Sequence, residues 1–317
     1  MKQVTKNSTM QTQMQGSFAK PKKRAMLKNS SIPGWLFASP WVIGLLLFYA
    51  FPLISSIYFS FTTYSILQPG EFVGFKNYSD LLHDGLFWES IYNTIYFAVF
   101  FVPLSIIIGI ALAMMLNMKV KGMSIYRTMF FLPTLVPHVA LAVLWMWLLN
   151  PGFGLVNGML EVVGITGPNW LGSETWSKPS LVLMSLWAIG QPVIIYLAGL
   201  GDIPQEFYEA AEVDGANWLQ KTWKVTLPLL TPVIFFNLVM GAIGAFQQFT
   251  LPYTLTQGQG SPANSLTFYV MYLYDNAFKF FKMGYASAMA WILFVIIMAL
   301  TAVIFLTSKR WVHYQGK

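Results

Sequence analysis

Several side-chain amides stand inside otherwise apolar stretches of this sequence, among them Gln191, Asn237 and the adjacent pair Gln247 and Gln248. An amide among hydrocarbon is costly unless it finds a partner or lines a cavity. Trp187 precedes Gln191 by four residues, which puts both on one face of a continuous helix. Phe246 and Phe249 bracket the glutamine pair. Amides beside aromatic rings can hold an uncharged, hydroxylated ligand, since the amides bond hydroxyls and the rings stack on apolar faces. The same groups also serve as hydrogen-bonding glue between helices, the use that suits Asn237 best. Either way the chemistry is binding, with no covalent step.

Other chemistries lack their residues. The chain has no cysteine, hence no disulfide, thiolate metal site or cysteine nucleophile. No Gly-x-x-x-x-Gly-Lys-Ser/Thr phosphate loop occurs; the only Gly-Lys pair is Gly316-Lys317. A metal site and a cofactor held by this chain are not expected. His138 is the single histidine in an apolar stretch and reads as structural. A proton- or ion-coupled carrier needs intramembrane carboxylates or histidines. A membrane-embedded enzyme needs them clustered at the bilayer edge. Neither pattern is present.

The elements that must position these residues are membrane helices. Of 317 residues 56% are hydrophobic and 10% charged, against about 25% charged in soluble domains. Six apolar stretches without Asp, Glu, Lys or Arg cover 35–59, 91–116, 129–149, 181–200, 231–249 and 285–306. Each approaches or exceeds the roughly 20 residues that a helix needs to cross a bilayer, and none alternates as a barrel strand does. The reading is all-α with six transmembrane helices: a basic segment at 1–33, then a six-span domain over 34–317. Prolines within the stretches require neighbouring helices to satisfy freed carbonyls. Fifteen of the 19 Lys and Arg fall on the side of the N-terminal segment, the second and fourth loops and the tail. Both termini are therefore expected in the cytoplasm. The +7 net charge then speaks for lipid-surface electrostatics, and nucleic acid is not an expected partner.

The loop at 201–230 holds five of the twelve acidic residues: Asp202, Glu206, Glu209, Glu212 and Asp214. Asp202 with Gln205 is a capping pattern, and Pro204 suits a first helical turn. Phe207, Ala210, Ala211 and Asp214 share one helical face. Gly215 marks a left-handed helix end. Asn217 with Gln220 caps a second helix, which Pro228 is expected to close. An acidic elbow with an Ala-Ala step suits the cleft of another protein, and an ordinary solvated interfacial loop is the other reading.

Glu209-Ala210-Ala211, then Gly215, then Val225-Thr226-Leu227-Pro228, at these spacings, resembles the EAA loop of the membrane subunits of bacterial ABC importers. The family prefers Ile where Val225 stands. The likeness extends through Val73-Gly74-Phe75-Lys76-Asn77-Tyr78, Asn93-Thr94, Arg127 to Pro133, Gly154-Leu155-Val156-Asn157 and Trp311-Val312-His313-Tyr314, all similar to permeases of the maltose, multiple-sugar and glycerol-phosphate type.

That resemblance implies the type I ABC importer permease fold and a non-enzymatic transport subunit of the cell membrane. It further implies a second permease subunit, two ATP-binding subunits that hold ATP and Mg, and an extracellular solute-binding protein. Glu209, Ala210, Ala211, Asp214, Gly215, Leu227 and Pro228 would then couple to the ATPase. Trp187, Gln191, Phe246, Gln247 and Gln248 would line the pathway of a carbohydrate. Spans without cations favour a neutral di- or oligosaccharide over a glycerol phosphate, and a polyol stays open.

Overall fold

A computed structural model describes residues 31–313. A short helix that the sequence suggests near Lys22–Lys28, and the tail from Tyr314, lie outside them. The chain falls into two units, Met1–Ile54 and Ser55–Lys317. In the first, helix Ser31–Leu45 (α1) enters a π turn at Leu46–Ala50. Helix Phe51–Ser60 (α2) follows and completes the apolar run Gly34–Ser60.

In the second unit, three further runs are long and apolar enough to span: Gly85–Leu116 (α3), Trp218–Thr256 and Met283–Ser308. Two more spans are broken. Met123–Leu135 (α4) meets His138–Leu148 (α5) at 99°, and Glu174–Trp187 (α6) meets Gly190–Gly201 (α7) at 48°. Counting each bent pair once gives the six expected crossings. Among the described residues the only bridges are isolated, Thr62 with Phe72 and Ser65 with Gln68. The fold is helical.

Helix α3 is the central mast. Phe97, Ala98 and Val102 enter one core with Leu141, Leu181 and Phe268. Ile110, Ala113 and Leu116 enter a second with Val193, Tyr196 and Leu230. Phe87 joins a third with Leu81, Tyr269 and Met289. The buried pair Asn93–Thr94 ties the mast to the loop before the last span. Asn93 donates to the carbonyls of Asn264 and Thr267 at 2.9 and 3.0 Å, and Tyr269 N–H donates to Thr94 Oγ1 at 3.0 Å.

Asp84 starts the mast. Its Oδ1 accepts from the amides of Leu86 and Phe87, and its Oδ2 accepts from the hydroxyls of Tyr272 and Tyr285 at 2.5 and 2.6 Å. Burial pushes the carboxyl up, but the tyrosine hydroxyls and the two amides outweigh it and hold it below its ordinary 3.8. A depressed carboxylate stabilises the fold above its ordinary value, and that contribution is lost as pH falls through the depressed one. Asp84→Asn should therefore lower the melting temperature of the purified transporter at pH 7, at a cost of about 2 kcal/mol. The gap to wild type should shrink below about pH 4. A gap unchanged from pH 7 to pH 3 would assign the loss to packing instead.

Candidate functional site

Three breaks in the spans converge. At the first, α4 ends in a tight turn, Leu132–Leu135, and Pro137 forces its predecessor Val136 into extended backbone, ψ 125°. At the second, α6 stops at Trp187 and α7 resumes at Gly190. A Cβ at Gly190 would stand 2.6 Å from the carbonyl oxygen of Phe130 and 2.8 Å from Thr134 Cγ2, so only glycine admits the first break so closely. The third follows helix Leu227–Phe246 (call it α9, after the elbow helix α8, Gln205–Val213), where Gln247 caps and Thr250–Thr256 restarts. Irregular backbone at membrane depth is stable only where protein buries it or a cavity receives it.

Such a cavity lies between these breaks and α3, with a volume of about 360 Å³. Its polar lining is Thr134, His138, Ser185, Gln191 and Gln248; Phe97 and Phe101, stacked 5.0 Å apart, supply rings. The lining holds no charged carboxylate, lysine or arginine. The two cations on the surrounding helices are engaged elsewhere. Arg127 grips the Leu116 carbonyl at 2.9 and 3.1 Å, and the Lys178 ammonium sits 4.5 Å from the Tyr92 ring centre.

Of the expected pathway residues, Gln191 and Gln248 meet in this cavity. Gln247 caps α9 and is exposed, and Phe246 packs between two cores. Trp187 does not share a face with Gln191, because the helix breaks at Ala188–Ile189. It lines a separate apolar cavity with Phe130 and Met129 and packs edge-on against Trp145, which is buried. Asn237 is buried and bonds the Val233 carbonyl of its own helix. His138, read as structural, lines the cavity at the first turn of α5. The signal that finds it is the pair Pro133 and Pro137, which breaks the helix just before it.

The elbow is the second site. Helix α8 starts after Pro204 with no side-chain cap, and Asp202 instead ends α7, which corrects the expected Asp202 cap. Gly215 is left-handed at φ +75°. Its amide donates to the Glu212 carbonyl and that of Ala216 to the Ala211 carbonyl, a paired closure of the helix end. Asn217 and Gln220 cap each other's backbone as expected. Pro228 does not close the second arm. A π turn at Thr222–Thr226 absorbs one residue ahead of the proline ring, and the arm runs on into α9 with Leu227 and Pro228 in its first turn.

The elbow's inner side is tied down. Ile203 is buried, Tyr208 and Thr226 share a hydroxyl hydrogen bond of 3.1 Å, and Lys221 pairs with Glu212 at 2.8 Å across the two arms. Its outer side carries Glu206, Glu209, Ala210 and Val213, all exposed, Val213 at 88%. Of the expected Phe207–Ala210–Ala211–Asp214 stripe, Phe207, Ala210 and Asp214 are exposed and Ala211 is half-buried, so the free face holds most of that stripe beside Glu206, Glu209 and Val213, while Tyr208 anchors the opposite side.

Residues 105–313 match the family described as binding-protein-dependent transport system inner membrane component. This chain belongs to that family. It is 40% identical to the probable ABC transporter permease protein YesP of Bacillus subtilis (strain 168), over 93% of the chain and 96% of the relative. It is 34% identical to the sulfoquinovosyl glycerol transport system permease protein SmoG of Agrobacterium fabrum, over 84% and 87%. Among solved structures it is similar, with a TM-score of 0.73 and 25% identity over 88% of this chain and 96% of the other, to a bacterial ABC transporter involved in import of the acidic polysaccharide alginate, also solved in complex with an alginate pentasaccharide-bound periplasmic protein. The permease is a multi-pass inner-membrane component of an ABC transporter with the type I importer fold. Among its described residues no three His, Cys, Asp or Glu side chains gather as a metal site.

Proposed function

We propose that the permease forms one half of the translocation pathway of a carbohydrate importer, with both termini in the cytoplasm. A second permease subunit would complete the pathway, two ATP-binding subunits would supply ATP and Mg, and an extracellular solute-binding protein would deliver the sugar. The observation that carries the reading is the cation-free cavity where three broken spans meet. Gln191, Gln248, Ser185 and Thr134 offer hydrogen bonds to hydroxyls, and Phe97 and Phe101 offer faces for stacking. The relatives named for a cargo handle a sulfoquinovosyl glycerol and alginate, so carbohydrate is the class they share.

A neutral di- or oligosaccharide suits this lining better than alginate's acidic type or a glycerol phosphate, whose anion would need a cation within reach. Uptake competition between a neutral oligosaccharide and its uronic-acid counterpart tests the point. The neutral sugar should compete at least tenfold better, and preference for the acid would overturn neutrality while leaving the importer reading intact.

Movement would pass through the elbow. ATP-driven closure of the partner subunits would push Glu209–Gly215, and the tied inner side would carry the push into α7 and α9, in rigid-body alternating access. The domain reading follows: 1–33 a basic cytoplasmic segment, 34–317 the six-span domain, 201–230 its coupling loop. Expressed alone, the permease should hydrolyse no ATP. Sugar-stimulated hydrolysis by the purified single chain, after removal of any copurified ATPase, would overturn the division of labour.

A further inference from the structure

We propose that an anionic phospholipid of the cytoplasmic leaflet binds in the seam between the inner end of α3 and the second arm of the elbow. The proposal rests on the cytoplasmic orientation of the elbow given above. Two cavities meet in this seam, with Met114, Met118, Trp218 and Thr222 as their common wall. One is an apolar trough of about 510 Å³ that reaches along α3 to Ile107. The other is polar, about 450 Å³, and is lined by Asn117, Lys119 and Lys221 among others.

The dimensions fit a lipid. From Ile107 to the end of α3 at Leu116 the helix rises about 14 Å, close to the hydrocarbon depth of a single leaflet, roughly half of 30 Å. The trough is therefore as long as an acyl chain, and it opens into the polar cavity at the level where headgroups lie. Trp218 and Trp223 stand exposed on its flank, in the position that indoles favour at a membrane surface. A partner helix would fill the trough but would leave the polar annex empty. An amphiphile, apolar along its tail and polar at its head, satisfies both.

The sign of the headgroup follows from the charges. Lys221 and Glu212 neutralise each other at 2.8 Å. Lys119 makes no ion pair among the described residues, so the annex keeps one uncompensated ammonium. Basic pockets at the cytoplasmic end of spans select anionic headgroups. One wall of the seam is the arm that continues from Gly215, so the lipid would brace the elbow against the mast.

The test uses the intact transporter with its partner subunits, purified in mild detergent and exchanged into phosphatidylglycerol or chain-matched phosphatidylcholine. Native mass spectrometry counts the lipid retained. Phosphatidylglycerol should be retained about fivefold over phosphatidylcholine, and Lys119→Gln should abolish that preference. Met115→Trp, which fills the trough, should reduce retention of both lipids. Equal retention of the two lipids by wild type, or an unchanged preference in Lys119→Gln, overturns the proposal. Because the chain has no cysteine, Met115→Cys can carry a single photo-crosslinker. Capture of phospholipid supports the proposal, and capture of a partner subunit instead overturns it. Copurification of the ATP-binding subunits with each variant separates these outcomes from failure of the importer reading itself.

Discussion

Gly215→Val is expected to insert and fold its spans yet to lose at least tenfold in sugar import. Gly215 holds φ +75°, and a Cβ built there meets nothing within 4 Å, so the space is free and only the backbone objects. A left-handed residue with a side chain costs about 1–2 kcal/mol, and a β-branched one more. That is enough to shift the elbow out of its closed form by a factor of ten or more. The pair of hydrogen bonds to Glu212 and Ala211 would open, and the Glu209 face would turn relative to the second arm. Gly215→Asn should recover most of the activity, since asparagine tolerates this conformation. Glu209→Lys leaves the backbone alone and reverses one charge on the exposed face. It should lower copurification of the ATP-binding subunits without changing expression. Wild-type uptake by both Gly215→Val and Glu209→Lys would mean that the elbow is solvated surface and that coupling runs elsewhere.

The contrast between the elbow and the cavity shows which parts of the protein its sequence discloses. Gly215, Asn217 and Gln220 were legible because their jobs are local: a left-handed turn and a reciprocal cap involve neighbours within four residues. What holds the opposite side of α8 was not legible, because Tyr208 is a tertiary anchor on Thr226 and no spacing rule contains that contact. The spans themselves were plain from composition, to within a few residues at most ends. Their interruptions were not. Trp187 and Gln191 sit at helical spacing, yet the helix breaks between them, where Gly190 admits Phe130 and Thr134 closely. Pro228 looked like an end because a proline removes a donor, whereas the π turn before it lets the helix continue. The first span uses the same device, with a π turn at Leu46–Ala50 just ahead of Pro52.

The cavity yields the second large effect. Gln248→Ala should weaken sugar transport at low concentration three- to tenfold, as expected for the loss of one or two hydrogen bonds worth about 0.5–1.5 kcal/mol each. Gln247→Ala should have less than a twofold effect, because Gln247 caps α9 outside the cavity. That difference between adjacent glutamines separates a lining role from a general one. His138→Ala should resemble Gln248→Ala, and the double variant should lose less than the product of the two if both hold the same sugar ring. The elbow is remote from this cavity, so basal ATP hydrolysis and subunit docking should survive in all three. If Gln248 is interhelical glue, its alanine variant should instead melt at a lower temperature and affect every transported sugar alike. The deciding measurement is uptake of two competing sugars together with thermal melting for Gln248→Ala and Gln247→Ala. An unchanged sugar preference with a lowered melting temperature would remove Gln248 from the binding site and leave His138 and Gln191 as the groups to test.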